Sequence, residues 1–311
     1  MRRFLIDTDT GSDDAVALVL AFAARDVSVE AITVVAGNVP IDQAVQNALY
    51  TRDLCGSPVP VYAGSAKPML RALQTAEHVH GRDGMGDIGL PLAGRVPAAG
   101  HAVDAIRAAV NAWPGELEIV TLGPLTNLAV ALLCEPGLAA KVRGVTIMGG
   151  TGDGRGNITP VAEFNVWVDP EAAAIVFASG MPIVMVGWDV ARIDATFDPD
   201  EAEAIRRAGG RVAAFCVDIQ RELIAFSQRA TGSPTFDFPD PLAMAVALDP
   251  GLIAREVLRA VEVDITSGPG RGQTIVDWRG AGGRTPNVRI VESIAREQFV
   301  ARLHAAVAAF D

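Results

Sequence analysis

Short, continuously apolar runs alternate with helical patterns along almost all of this 311-residue chain, and that rhythm restricts the fold more than any other feature. Phe4-Leu5-Ile6 reads as a buried strand, Ala15–Ala24 as a helix opened by acidic residues, and Val29–Val35 as a second strand. A helix over Asp42–Leu54, a short strand at Val59–Tyr62, a helix over His101–Trp113, a strand at Leu117–Leu122 and a helix over Leu125–Leu133 follow. The strand Val142–Met148, a helix from Pro170 and the strand Ile183–Val186 continue the pattern. Strands that are apolar along their whole length are covered on both faces. The expected fold is therefore α/β, an open, mostly parallel, Rossmann-like sheet with helices on both faces. Asp198–Leu248 reads as helical around a Gly/Pro-broken loop at Thr231–Pro241, and Ala295–Phe310 reads as a closing helix. Thr274–Trp278 and Val288–Ser293 read as a late antiparallel strand pair. No repeat, linker or charge block divides the chain, so residues 1–311 are expected to form a single domain.

Composition narrows the function. Half of the residues are hydrophobic and 20% charged, which excludes a disordered chain. Lys and Arg number 26 against 37 Asp and Glu, a net charge of −11, so nucleic-acid backbones and anionic membranes are poor partners. The chain opens with Phe4-Leu5-Ile6 before its first Asp, too short a run for a signal peptide, and no later run reaches a membrane span. Cys55, Cys134 and Cys216 are far apart and read as unlinked, buried thiols. The expectation is a cytoplasmic protein. Two stretches interrupt the rhythm: Ser65–Gly100, with His78, His80 and Asp83, and the polar, glycine-rich Thr151–Asn165. Long irregular segments of this kind are usually functional loops.

The most informative stretch is Asp7-Thr8-Asp9-Thr10-Gly11-Ser12-Asp13-Asp14-Ala15, which places four carboxylates within eight residues at the end of the first strand. In an open α/β sheet, ligands bind at this edge. Four such groups repel one another unless a counter-charge joins them, and carboxylate oxygens suit Ca²⁺ or Mg²⁺. A solvated turn with a helix cap accounts for one Asp but poorly for four. An EF-hand fails, because its twelfth position would be Leu18 or Leu20 rather than Glu. A phosphatase with an aspartyl nucleophile stays open, although Lys67 and Lys141, the only lysines, lie in unpromising contexts.

This acidic stretch closely resembles the signature of the inosine–uridine-type nucleoside hydrolases. Further motifs extend the resemblance: Gly37-Asn38-Val39, His80-Gly81-Arg82-Asp83-Gly84, Leu122-Gly123-Pro124-Leu125-Thr126-Asn127 and Met148-Gly149-Gly150. Gly156-Asn157, Ala162-Glu163-Phe164-Asn165, Asp169-Pro170-Glu171-Ala172-Ala173 and Asp240-Pro241-Leu242-Ala243 complete the series in order.

The resemblance implies Ca²⁺-dependent hydrolysis of the N-glycosidic bond of small-molecule ribonucleosides, in purine or pyrimidine salvage, by a homodimer or homotetramer. It implies a Ca²⁺ site built from Asp9, Asp14, Asp240 and the Leu122 carbonyl, which binds the attacking water and the ribose 2′- and 3′-hydroxyls. Asp9 is the implied general base, taking a proton from metal-bound water as it attacks C1′. Asp13 and Asn165 resemble the residues that bind the 2′- and 3′-hydroxyls. Glu163 and Asn157 would hold the ribose from the other side, including its 5′-hydroxyl. Asn38 resembles a sugar contact or a support to one, and Asp7 supports the loop without a ligand role.

The sequence departs from the family where a proton is needed. Many members carry a His just before the late metal Asp, and purine-specific relatives a Trp; here Pro239 precedes Asp240. Pro donates no proton. His78 and His80 are the nearby alternatives, with His80 the candidate catalytic residue on the base side. Phe238, Trp188 and Phe226 are candidates for an apolar or stacking wall. Three readings remain: a nucleoside hydrolase, a non-catalytic ribose or nucleoside binder that has lost acid catalysis, and the aspartyl phosphatase.

Overall fold

The computed structural model describes residues 1–310. Its first six strands are β1 (Arg2–Thr8), β2 (Val27–Val34), β3 (Val61–Ala63), β4 (Leu117–Thr121), β5 (Gly144–Met148) and β6 (Ile183–Val186). Later in the chain come β7 (Thr196–Phe197), β8 (Phe236–Asp237), β9 (Ile253–Arg259), β10 (Val261–Val263), β11 (Thr274–Val276) and β12 (Val288–Ile294). Helices in the first half are α1 (Ser12–Ala23), α2 (Ile41–Leu54), α3 (Glu77–His80), α4 (Ala102–Ala112) and α5 (Thr126–Cys134). Then follow α6 (Phe164–Val168), α7 (Pro170–Phe177), α8 (Trp188–Asp194) and α9 (Pro199–Arg207). The last four are α10 (Arg211–Asp218), α11 (Arg221–Thr231), α12 (Pro239–Leu248) and α13 (Arg296–Val307).

Eight strands form the main sheet in the order β3-β2-β1-β4-β5-β6-β12-β9, parallel except at β9. Two apolar clusters cover it, one containing Phe4, Ile6, α1 and α12 residues, the other Leu5, Ile106, Leu128 and Val176. Alternate residues of β1 thus feed opposite faces, as a strand buried on both sides requires. The strand order turns back at β1, so the chain leaving β1 and the chain leaving β4 diverge and open a crevice at the switch point. Register sets what meets there. Asp7 lies opposite Thr121, and the Leu122 N–H donates to the Asp7 carbonyl at 2.8 Å. Asp9 and Leu122 are neighbours for that reason.

Helix α1 is buried from Ser12 to Ala21, apolar on nearly every side beyond its acidic first turn, and packs along α12. It begins earlier than the apolar pattern predicts, because Asp14 reaches back to accept the Gly11 N–H at 2.8 Å and closes the first turn.

The late strands require a correction. Thr274–Val276 and Val288–Ile294 are both antiparallel to a neighbour, but not to each other: β11 pairs with β10, and β12 with β9. β9 and β10 carry Arg255, Glu256, Arg259 and Glu262 on half-exposed edges, so neither shows the continuous apolar run that marks the inner strands. The cysteines are free, as expected, but only Cys216 is fully buried; Cys134 ends α5 and is exposed. Among the described residues, no helix is long and apolar enough to cross a membrane.

Asn127 ties three segments together beneath the crevice. Its amide donates to Asp7 Oδ1 at 2.9 Å and to the Val34 carbonyl at 3.0 Å, and its Oδ1 accepts the Ser65 N–H at 2.9 Å. Asp7 also accepts from Thr33 and does not line the cavity, and its Oδ2 is buried without a partner. Asn127→Ala leaves several buried polar groups unpaired, each costing about 1–3 kcal/mol, so a total loss of about 2–4 kcal/mol is expected from urea unfolding. A loss below about 0.5 kcal/mol would mean that solvent substitutes for the amide.

Candidate active site

Two helix N-termini meet at the C-terminal edge of the sheet, and both deliver acid there. α1 carries Asp13 and Asp14 in its first turn, and α12 carries Asp240 in its own. One oxygen from each of these three buried carboxylates lies within 4.8 Å of the other two. Asp9, one residue past β1, is fully buried close by but stands outside that trio. Asn38 spaces the acids: its backbone N–H donates to Asp9 Oδ2 at 2.7 Å, and its amide to Asp14 Oδ2 at 3.0 Å. Thr8 donates to the other Asp14 oxygen at 2.6 Å. Asp9 Oδ1 and Asp13 Oδ1 are buried and have no hydrogen-bond partner.

A cavity of about 330 Å³ opens over this cluster. Of the residues singled out in the sequence, Asp13, Asn38, His80, Leu122, Asn157, Glu163, Asn165 and Asp240 line it; Asp9 and Asp14 lie behind the lining with no exposed surface. The second long loop builds the polar side. Glu163 caps α6 by accepting the N–H groups of Asn165 at 2.9 Å and Val166 at 3.3 Å, and also takes the Gly150 N–H at 2.8 Å. Asn157 Oδ1 accepts the Phe164 N–H at 2.9 Å, which leaves its amide nitrogen for a ligand. The Asn165 amide nitrogen donates to the Leu122 carbonyl at 2.7 Å, which orients its Oδ1 away from that carbonyl.

The apolar side comes from α3 and α11, which pack together and contribute Val79, Leu223 and Phe226, joined by Trp188. His78 meets Phe226 edge-on at 5.8 Å between ring centroids. Trp188 and Phe226 are therefore in the wall, as expected. Phe238 is not: its side chain is fully buried against Phe197 and Phe236, because the residue before α12 turns its ring into the core. Phe236 and Asp237 line the cavity instead, and the sequence reading passed over both. The proximity of Asp237 to Asp240 was the available signal for it; the short strand that turns it toward the cavity was not visible.

Burial dominates the electrostatics. It pushes Asp13 and Asp14 up to about 6, and Asp9 and Asp240 well above the usual carboxylate range, with neighbouring carboxylates adding to the rise at Asp9, Asp14 and Asp240. Glu163 is pushed up to about 7, again by burial. His80 moves the other way, down to about 4, as burial disfavours the imidazolium. Its Nδ1 lies 3.0 Å from Ser12 Oγ and 3.7 Å from Asp13 Oδ1. Burial thus favours the neutral imidazole of His80, held against Ser12.

The donor set passes the test for a hard divalent cation. The ligand-capable atoms are oxygens, two buried carboxylate oxygens lack partners, and like charges crowd a space that a dication would relieve. Two glycines hold Asp9 in place. A Cβ on Gly37 would stand 2.1 Å from Asp9 Oδ2, and one on Gly123 2.6 Å from Asp9 Oδ1. Gly123→Ala should displace the carboxylate, and a shift of about 1 Å costs roughly 10²-fold in turnover. Steady-state rates within about twofold of wild type would show that the backbone yields instead of Asp9.

Comparison with known proteins agrees with this geometry. Residues 4–301 match the family model for inosine-uridine preferring nucleoside hydrolase. The pyrimidine-specific ribonucleoside hydrolase RihB of Escherichia coli is 35% identical over 300 residues, covering 96% of this chain and 94% of that protein. The structure of a plant nucleoside hydrolase superposes with a TM-score of 0.92 at 32% identity, over 99% of both chains. A purine-preferring ribonucleoside hydrolase from Gardnerella vaginalis gives 0.90 at 30% identity, over 98% of both. The phosphatase reading loses its remaining support, since neither Lys67 nor Lys141 lines the cavity. With the ordered motifs, the sheet and the whole-length matches in agreement, the chain belongs to the inosine-uridine preferring nucleoside hydrolase family.

Proposed function

We propose that this enzyme hydrolyses the N-glycosidic bond of ribonucleosides, releasing ribose and a nucleobase, with Ca²⁺ held by Asp9, Asp14, Asp240 and the Leu122 carbonyl. The observation that carries the reading is the convergence of buried carboxylates from α1 and α12 beside unpartnered oxygens of Asp9 and Asp13. Bound there, the cation supplies positive charge that acidifies a neighbouring water and attracts vicinal sugar hydroxyls. Asp9 accepts the proton of the attacking water; its Oδ1 is the free atom for this. Asp13 Oδ1 and Asn165 Oδ1 accept from the ribose 2′- and 3′-hydroxyls. The Asn157 amide and Glu163 hold the 5′ end of the sugar, and Asn38 keeps Asp9 and Asp14 apart at a fixed spacing. Trp188 and Phe226 exclude water from the base side. As C1′ becomes oxocarbenium-like, these anionic oxygens sit where positive charge develops.

Asp9→Ala removes a ligand and the base together, and turnover should fall by at least the 10²–10⁴-fold typical of a lost general base. Near-wild-type kcat with metal still bound would exclude Asp9 from the chemistry. Asn165→Ala should raise KM and lower kcat/KM for ribosides more than for 2′- or 3′-deoxyribosides, which already lack one hydroxyl contact. Equal losses on both sugar types would remove Asn165 from sugar recognition.

A further inference from the structure

We infer that Asp237 is the catalytic residue that protonates the departing nucleobase, an assignment that rests on the hydrolase reading above. Pro239 lines the cavity but has no proton to give, and the Nδ1 of His80 is engaged with Ser12 Oγ at 3.0 Å. Asp237 lines the same cavity as Asp13, Asn165 and Asp240, and it lies on the strand that leads directly into α12. α11, the source of Leu223 and Phe226 in the apolar wall, packs against that strand. A base bound against the wall would therefore meet the carboxyl.

The surroundings of Asp237 suit a group that carries and then releases a proton. Thr196, its partner across the β7–β8 pair, places Oγ1 2.5 Å from Asp237 Oδ1. The same hydroxyl is 3.0 Å from the Arg192 carbonyl. Its single hydrogen goes either to the Arg192 carbonyl or to Oδ1, and the proton offered to a base sits on Oδ2, away from Thr196. After the proton leaves, the hydroxyl can turn its hydrogen onto Oδ1 and stabilise the carboxylate. Thr196 thus serves both states of the acid. Among the described residues, the nearby arginines are engaged elsewhere. Arg192 is paired with Asp153, Arg296 with Glu201 and the Thr196 carbonyl, Arg221 donates to the Asp87 carbonyl, and Arg229 is exposed. Asp13, the charged group that senses Asp237, is itself an acid. Burial raises Asp237 above the usual carboxylate range, while the Thr196 hydrogen bond works the other way and stabilises the carboxylate.

The step balances. The C1′–N bond breaks with its electron pair going to the base nitrogen, and the proton of Asp237 goes to a basic atom of the leaving nucleobase. Water oxygen bonds to C1′, and its proton goes to Asp9. One carboxyl is then protonated and the other ionised, and exchange with solvent restores both.

Inosine, uridine and p-nitrophenyl β-D-ribofuranoside test the assignment, because the p-nitrophenolate departs without protonation. Asp237→Asn keeps the shape but has no proton to transfer. It should lower kcat on both nucleosides by about 10²–10⁴-fold and cost the p-nitrophenyl substrate less than about tenfold. Thr196→Val, which keeps the carboxyl, should cut nucleoside turnover by about tenfold with the same selectivity and remains informative if Asp237→Asn misfolds. Equal losses on all three substrates, or undiminished nucleoside turnover, would overturn the assignment. A rise in KM at unchanged kcat would overturn it too, making Asp237 a hydrogen-bond acceptor for the base. A wild-type protein that cleaved none of the three would instead overturn the hydrolase reading on which the assignment rests.

Discussion

The burial of four carboxylates side by side is the constraint on which the rest of this structure depends. Asp9, Asp13, Asp14 and Asp240 are almost completely removed from solvent, where an isolated ionised carboxylate is very costly. The fold offsets part of this cost locally. Asp13, Asp14 and Asp240 sit in the first turns of helices, where unpaired N–H groups and the macrodipole favour negative charge. Thr8, Gly11 and Asn38 donate to Asp9 and Asp14. The remainder is left to protonation or to a cation, and the free oxygens of Asp9 and Asp13 leave room for the latter.

The architecture follows from where such a cluster can be assembled. A switch point between β1 and β4 gives Asp9 and the Leu122 carbonyl a common edge. The packing of α12 on α1 brings in an acid more than two hundred positions away in the chain. Gly37 and Gly123 let the backbone close on Asp9 where any Cβ would collide. The sugar-facing loop is tied to the same centre, because Asn165 shares the Leu122 carbonyl and Glu163 caps the short helix that carries Asn165.

Much of this was legible in the sequence, for identifiable reasons. Inner strands such as Ile183–Val186 are apolar throughout, so their type and the parallel sheet could be read directly. The acidic stretch announced the site because local repulsion has few structural solutions. Edge strands β9 and β10 escaped notice, since half-exposed positions carry charges that mask the period. The ring of Phe238 was misplaced because a Pro-started helix follows it, and its orientation depends on packing with Phe197 and Phe236. Asp237 was hidden for a related reason: β8 is two residues long and exists through its pairing with β7. Contacts between distant segments decided the misses at Phe238 and Asp237.

The most direct measure of the central claim is calorimetric titration of the metal-free protein with CaCl₂ near pH 6.5, repeated in buffers of different ionisation enthalpy. Asp13 and Asp14, raised to about 6, and Asp9 and Asp240, raised well above the usual carboxylate range, hold protons more readily without a cation and release them when one binds. One Ca²⁺ per chain, with release of roughly one proton or more, is the predicted result. Absence of binding, or binding with no proton released, would contradict it.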